Sequence, residues 1–464
     1  MKEKRDDRLA YKGKTIRNGY VQRSDPAENA DVCTAEMLSS ILQLLFNAAD
    51  IVVVGKFAGD NSLAAVGSNT ALINLLTNLF IGLSIGANVV AARSYGAKAW
   101  DDLRDTVHTS MLLSMISGGL LMVLGVIGAR QMLIWMQTPE EVLPLATTYL
   151  RIYFLGMAST MVYNFGSALL RAVGDTKRPL YFLLCAGVIN VVLNLIFVVG
   201  FHLDVMGVAI ATVISETVSA LLVLRCLMKE SGGIHLELRA LHIHRKKMIQ
   251  ILRIGLPAGF QGVVFALSNV VIQSSVNIFG NIVVAGNSAA ANLEGFVYMA
   301  MNAFYQTTLS FVSQNYGAGE QKRIHRIVLL GEACVIVTGT LLGNAVVLFG
   351  NELLHIYSSN PEVIAAGIVR LHYISMVYAL CGIMDVMVGA LRGIGYSVMP
   401  MIVSIVGVCV LRLVWLATVF QIPEYHRIET VYLSYPVTWI LTSLVYIVFF
   451  IWVRVRTCRK SAAA

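Results

Sequence analysis

Leu170-Arg171-Ala172-Val173-Gly174-Asp175-Thr176-Lys177-Arg178-Pro179 returns, 221 residues later, as Leu391-Arg392-Gly393-Ile394-Gly395-Tyr396-Ser397-Val398-Met399-Pro400. Tyr95-Gly96-Ala97 returns as Tyr316-Gly317-Ala318 at the same shift. Two separate matches that keep one register over such a distance mark two homologous halves, a frequent design among transporters.

Composition says which solvent the halves occupy. Hydrophobic residues make up 57% of the chain and charged residues only 13%, against about 25% charged in a soluble domain. Mean hydropathy is +0.71. Apolar runs of about 20 residues, long enough to cross ~30 Å of hydrocarbon, recur along the whole chain and predict twelve spans. In the first half they cover roughly 37–57, 70–92, 107–129, 143–169, 180–201 and 205–226. In the second they cover roughly 254–279, 290–313, 327–350, 364–390, 400–421 and 433–454. An even number of crossings per half means that both enter the membrane from the same side, so the repeats are parallel. The expected fold is therefore an all-α polytopic membrane protein with two six-helix lobes. Its predicted parts are a cytoplasmic N-terminal segment (1–36), an N-lobe (37–228), a cytoplasmic linker (229–251), a C-lobe (252–456) and a cytoplasmic tail (457–464).

Basic residues set the orientation. Alternating the loops places 29 of the 35 Lys and Arg on one side, eight of them before the first span and seven between 225 and 253. The opposite loops hold Arg130 and Arg427. Both termini and the linker are thus predicted to be cytoplasmic. The net charge of +8 is a topology signal, with no folded basic domain to suggest a nucleic-acid partner. All seven cysteines fall in spans or on the cytoplasmic side, which gives no sign of a disulfide framework. The first residues lack an apolar h-region and cleavage site, so the first span is expected to act as the targeting signal. Linker histidines His235, His242 and His244 lack the spacing of a metal site and are read as part of a solvated connection.

The Leu-Arg-x-x-Gly run with its trailing Pro, its copy at 391–400, the Asn47-Ala48-Ala49-Asp50 segment and Gln314-Asn315-Tyr316-Gly317-Ala318 together resemble the multidrug and toxic compound extrusion (MATE) family, in a bacterial form. The likeness runs from about Met37 to the C-terminus. It implies a two-lobed bundle around a central cavity in the bacterial cytoplasmic (inner) membrane. It also implies alternating access and export of cationic or amphipathic small molecules against inward sodium or proton flow. No cofactor beyond the coupling ion is expected, and the protein is expected to act as a monomer in the lipid bilayer.

In the duplicated motif, Gly174 and Gly395 suit a tight reversal, while Pro179 and Pro400 suit the start of the next helix. Arg171 and Arg392 suit the cytoplasmic interface. A structural role is the main reading of these arginines; a gate held through partners in the opposite lobe is the second.

Chemistry inside a membrane begins with groups that lipid would not tolerate. Asp50 lies in the first span, where a carboxylate must be paired, protonated or bound to a cation. Asn190 and Asn194 are four apart and share a helix face, and Thr212 lies in the sixth span. A carboxylate, two amides and a hydroxyl form a set of hard oxygen donors with one negative charge, suited to sodium at Asp50. The resemblance implies the same four positions as the family's N-lobe cation site, with Asn194 standing where some relatives have Asp. Glu216, one turn beyond Thr212, either extends this site or snorkels toward the cytoplasm.

The C-lobe carries Glu294, Asp385 and Arg412 within its spans. Its seventh span has Gln261, Asn269 and Gln273 but no acid, which departs from relatives that place a second cation site there. Arg412 cannot deprotonate, so it is expected to neutralise Asp385 or Glu294. Glu332 is expected to snorkel, and Arg151 and His372, at equivalent repeat positions, to lie at the interface. Met157, Met161, Tyr298, Met301, Tyr305 and Met384 are candidates for an adaptable substrate cavity. Upstream of the first span stand Glu28, Asn29, Asp31 and Glu36, so that helix either begins at Met37 or follows an atypical, partly disordered segment.

A lipid-linked oligosaccharide flippase of the same superfamily is the alternative. It would need a cationic cavity, for which only Arg151, Arg370 and Arg412 are available. An enzyme would need a Ser/Lys dyad, an HExxH or a paired-Asp site, and an ion channel a repeated filter; none is found in the spans.

Overall fold

The structure, a computed structural model, describes residues 26–57 and 60–462. Residues 1–25 of the predicted N-terminal segment lie outside it. Among the described residues the regular structure is helical throughout, with no strand.

The helices of the first half are α1 (Pro26–Phe57), α2 (Asp60–Gly96), α3 (Trp100–Trp135), α4 (Leu143–Leu155), α5 (Met157–Ala172), α6 (Lys177–Asn194) and α7 (Asp204–Lys229). Those that follow are α8 (Arg245–Asn277), α9 (Asn281–Gly317), α10 (Gln321–Leu348), α11 (Gly350–His355), α12 (Pro361–Ile374), α13 (Ala379–Gly393), α14 (Val398–Ser404), α15 (Leu411–Ala417) and α16 (Ile428–Ala462). The internal repeat survives at single-residue precision. The bounds of α2 and α9, the starts of α3 and α10, the ends of α5 and α13, and the starts of α6 and α14 all differ by the 221 residues that separate the motifs.

Both duplicated motifs are helix C-caps. The Asp175 N–H donates to Leu170 O (2.9 Å) and the Gly174 N–H to Arg171 O (3.0 Å). Tyr396 and Gly395 repeat the pair on Leu391 and Arg392. This is the Schellman arrangement, which needs a left-handed residue after the helix, and Gly174 and Gly395 supply it at φ 94° and 99°. Pro179 and Pro400 then sit in the first turns of α6 and α14. The Tyr95 and Tyr316 motifs close α2 and α9 in the same way, with Lys98 and Gly319 as the left-handed residues.

Nine helices among the described residues are long and apolar enough to cross a membrane, and α12–α13, bent by 45°, makes a tenth. Two crossings escape that test for visible reasons. The fourth is broken at Gly156 into α4 and α5, each short of a full span. The eighth, α9, carries Asn287, Asn292, Glu294 and Asn302 among its apolar residues. With these the architecture is twelve membrane helices in two six-helix lobes.

The first helix begins at Pro26, well before Met37. Glu28, Asn29, Asp31 and Glu36 are therefore helical, which replaces the late start predicted above. Likewise α8 reaches back to Arg245, into the segment assigned to the linker. The segment touches α3 at three points: Lys247 of α8 pairs with Asp102 (2.9 Å), the His244 N–H donates to Thr109 (3.0 Å) and the Glu237 N–H to His108 Nε2 (3.3 Å). Among the described residues no cluster of His, Cys, Asp and Glu could hold a metal ion.

Two compact units form. The first contains α1–α7, α8 as far as Gly259, and Ser313–Glu320; the second contains Phe260–Val312 and the chain from Gln321 on. In the first unit α1 packs on α6, α6 on α7, and α3 on α5. Its core includes Val54, Leu121, Leu150, Phe154, Met157, Met161 and Val208, all fully buried. Gly82 and Gly86 of α2 cross Gly255 and Gly259 of α8 so closely that a Cβ on Gly82 would lie 2.2 Å from the Gly259 nitrogen. Small residues spaced four apart on both helices permit that approach. In the second unit α13 packs on α10 and α16.

Candidate functional site

Helix α1 lays Asp50 against α6 inside the first unit. Asp50 is 9% exposed, Asn190 5% and Asn194 not at all. The Asn194 amide donates to Asp50 Oδ1 and to Asn190 Oδ1, the latter at 3.1 Å. Asn190 donates in turn to Thr212 Oγ1 (3.4 Å), and the Thr212 hydroxyl donates to Val208 O (2.9 Å). The Asn190 and Thr212 side chains also face the Asp50 carboxylate. The four residues picked out from the sequence are thus brought into one polar cluster on α1, α6 and α7.

Local backbone geometry places them. Asn190 and Asn194 are one turn apart on α6, and immediately after Asn194 the ladder widens into a π-helical turn, Leu195–Gly200. Such turns are rare and recur at functional positions. Because Asn194 directs its amide hydrogens to Asp50 and Asn190, its Oδ1 is left buried with no hydrogen-bond partner. An orphaned amide oxygen beside a carboxylate, a second amide and a hydroxyl fits a hard monovalent cation. Glu216 faces Thr160 on α5.

The second unit departs from the sequence-based expectation. Arg412 does not neutralise Glu294; Arg370 does, donating Nη2 to Oε2 at 2.7 Å and Nε to Oε1 at 3.1 Å. Arg370 Nη1 also donates to Asn287 Oδ1 (2.6 Å), and Asn287 donates to Gln273 Oε1 (3.1 Å). The planar fork of Arg370 matches a carboxylate along two parallel bonds, and Glu294 on α9 and Arg370 on α12 meet across a span of sequence that no local pattern reports. Among the described residues Asp385 forms no ion pair with Arg412. Arg412 instead stacks on Tyr435 at 3.9 Å and donates to Thr438 (3.0 Å).

Arg171 finds Glu36 at 3.8 Å, and Arg392 donates to Tyr305 OH (2.7 Å) and Gln261 Oε1 (2.8 Å), so each motif arginine has its partner within its own unit. Glu332 does not snorkel: both carboxylate oxygens are buried without a partner. Arg151 and His372 are exposed. Of the candidate cavity residues, Met157, Met161, Met301, Tyr305 and Met384 are buried, while Tyr298 is exposed.

Polytopic helical topology, a parallel repeat and a buried carboxylate–amide cluster define a membrane protein of the secondary-transporter type. The MatE family model matches residues 36–196 and 257–417, two stretches set apart by the same 221 residues. The chain belongs to the MatE family. It is similar to the probable multidrug resistance protein YoeA of Bacillus subtilis, at 26% identity over 88% of this chain and 89% of that protein. It is also similar to the probable multidrug resistance protein YpnP of the same organism, at 29% identity over 81% and 84%. A MOP superfamily transporter from Pyrococcus furiosus shares the fold, with a TM-score of 0.88 at 22% identity over 96% of this chain and 98% of that one.

Proposed function

We propose that this protein is a secondary transporter that exports cationic or amphipathic drugs by alternating access, driven by an inward sodium ion or proton taken up at Asp50. The observation that carries the reading is the buried carboxylate of Asp50 held by Asn194, beside an amide oxygen without a partner. A charge in that position is costly unless an incoming cation compensates it. Relatives named as multidrug resistance proteins support the choice of substrate class. The cation, as co-substrate, would be held by Asp50, Asn190, Asn194 and Thr212. It neutralises Asp50, changes how α1 packs on α6 and lowers the affinity for drug while the site faces outward, so that drug and cation oppose each other. The proposed setting is the bacterial inner membrane, with the protein acting as a monomer, and its basic-residue asymmetry supports cytoplasmic termini.

Drug efflux from proteoliposomes, with sodium and proton gradients imposed separately, tests this. Wild type exports under one of the two gradients, and the other identifies the ion that does not couple. Asp50→Asn is expected to abolish gradient-driven export, and export by that variant at the wild-type rate would reject the site. A flippase would instead move lipid-linked oligosaccharide and give no gradient-dependent drug efflux.

A further inference from the structure

Among the described residues of the second unit, the buried guanidinium of Arg412 has no carboxylate as its partner. Arg370 and Arg412 both lie over Tyr435, at 5.7 Å and 3.9 Å from the ring centre. Glu294 is engaged by both ends of the Arg370 fork. Arg412, only 3% exposed, has one hydroxyl partner, Thr438, and its Nε is buried with no partner. Nearby Tyr432, whose ring also lies 5.7 Å from the Arg370 guanidinium, is 1% exposed, and its hydroxyl has no partner either. A guanidinium keeps its charge at any physiological pH, and burying it without an anion is strongly unfavourable. Buried donors are ordinarily satisfied, and both of these border one cluster, since Tyr432 and Tyr435 lie over the same Arg370 guanidinium.

Backbone geometry repeats the pattern of the Asp50 site. A second π-helical turn, Ile405–Val410, directly precedes α15 and Arg412, as the first directly follows Asn194. Next to the guanidinium, Tyr435 meets Trp439 edge-on at 5.8 Å, and Trp439 meets Tyr378 at 5.4 Å. Aromatic walls of this kind extend favourably to a further ring.

We propose that Arg412, assisted by the Tyr432 hydroxyl, forms an anion-binding subsite in the second unit that takes the carboxylate of an aromatic amphipathic substrate. The single unpaired guanidinium of Arg412 matches a monoanion, and the fork geometry of arginine favours a carboxylate. Zwitterionic drugs would then be held at their anionic end here. The inference rests on the export reading only in calling the ligand a transported substrate.

Equilibrium binding of radiolabelled 2-naphthoate to the purified full chain in lipid nanodiscs tests it without any ion gradient, so its outcome is independent of export at Asp50. Wild type is expected to bind 2-naphthoate at least ~10-fold more tightly than uncharged methyl 2-naphthoate. Arg412→Gln should weaken naphthoate about 10-fold or more and leave the ester unchanged, Arg412→Lys should retain part of the affinity, and Tyr432→Phe should lose a factor of ~3. Monodisperse elution checks folding of each variant. Should Arg412→Gln fail to fold, Arg412→Lys and the acid-to-ester ratio in wild type decide. Equal binding of acid and ester by wild type, or undiminished naphthoate binding by folded Arg412→Gln, overturns the proposal.

Discussion

Glu294 and Arg370 show how much one buried pair governs at the level of single residues. Both are almost wholly buried, and the carboxylate holds two of the guanidinium's donors. Removing the carboxylate alone leaves a charge in the packed interior, at a cost of about 3–5 kcal/mol, whereas removing both partners in favour of apolar side chains is far milder. Glu294→Gln is therefore expected to lower the thermal unfolding midpoint in detergent markedly, and Glu294→Leu with Arg370→Met to recover most of it. A single variant as stable as wild type would show that the pair contributes nothing. The same residues mark the limit of what the primary structure disclosed. Asp50 and the Asn190/Asn194 pair were legible because a carboxylate in a span and amides one turn apart are local patterns. The Arg370 partnership was not, since three guanidiniums (Arg370, Arg392, Arg412) and three acids (Glu294, Glu332, Asp385) in or beside the C-lobe spans can be matched in several ways and only tertiary packing selects one. A charge on the tenth span facing an acid on the eighth was the available signal, but nothing in its spacing favoured Arg370 over Arg412.

At the level of elements, the duplicated motifs work as chain reversals, and they make unequal demands on their residues. Lys98 holds the left-handed position that glycine fills at its equivalent, Gly319, with φ 54° against 77°. A side chain in that conformation costs roughly 1 kcal/mol. Lys98→Gly should accordingly raise the thermal midpoint by a small, measurable amount, and an unchanged or lower midpoint would count against the cap. The crossing of α2 and α8 makes the opposite demand. Gly82→Val would drive its side chain into the backbone at Gly259, while Gly119 on α3 has nothing within 4 Å of its Cβ direction. Overpacking of this sort costs about 1–3 kcal/mol. Gly82→Val is expected to lower the midpoint, with Gly119→Val as the neutral control, and equal behaviour of the two would refute the close crossing. Hydrophobic run length recovered most helices because lipid imposes it. It misjudged the start of α1, where acidic residues upstream of Met37 mimic a helix boundary, and it gave no hint of the break at Gly156.

For the whole molecule, charge accounting fixes what the proposed coupling would carry across the membrane. The Asp50 cluster brings one carboxylate together with two neutral amides and a hydroxyl, and Glu294 in the second unit is already answered by Arg370. On the function proposed above, one monovalent cation per cycle would be exchanged for one drug molecule. If the drug is itself a monocation such as tetraphenylphosphonium, no net charge crosses the membrane. An uncharged drug would leave while one positive charge enters, a movement on which the potential acts with about 2.3 kcal/mol per 100 mV. Efflux from proteoliposomes clamped with potassium and valinomycin separates these cases. The steady-state gradient of tetraphenylphosphonium is expected to be the same at zero and at inside-negative potential, while that of an uncharged drug should steepen as the interior becomes negative. A potential-dependent tetraphenylphosphonium gradient would mean that a second acid also cycles its charge. Asp385, Glu216 and Glu332 are the intramembrane carboxylates whose amide variants would then be compared, because none of them is held by a bidentate arginine as Glu294 is.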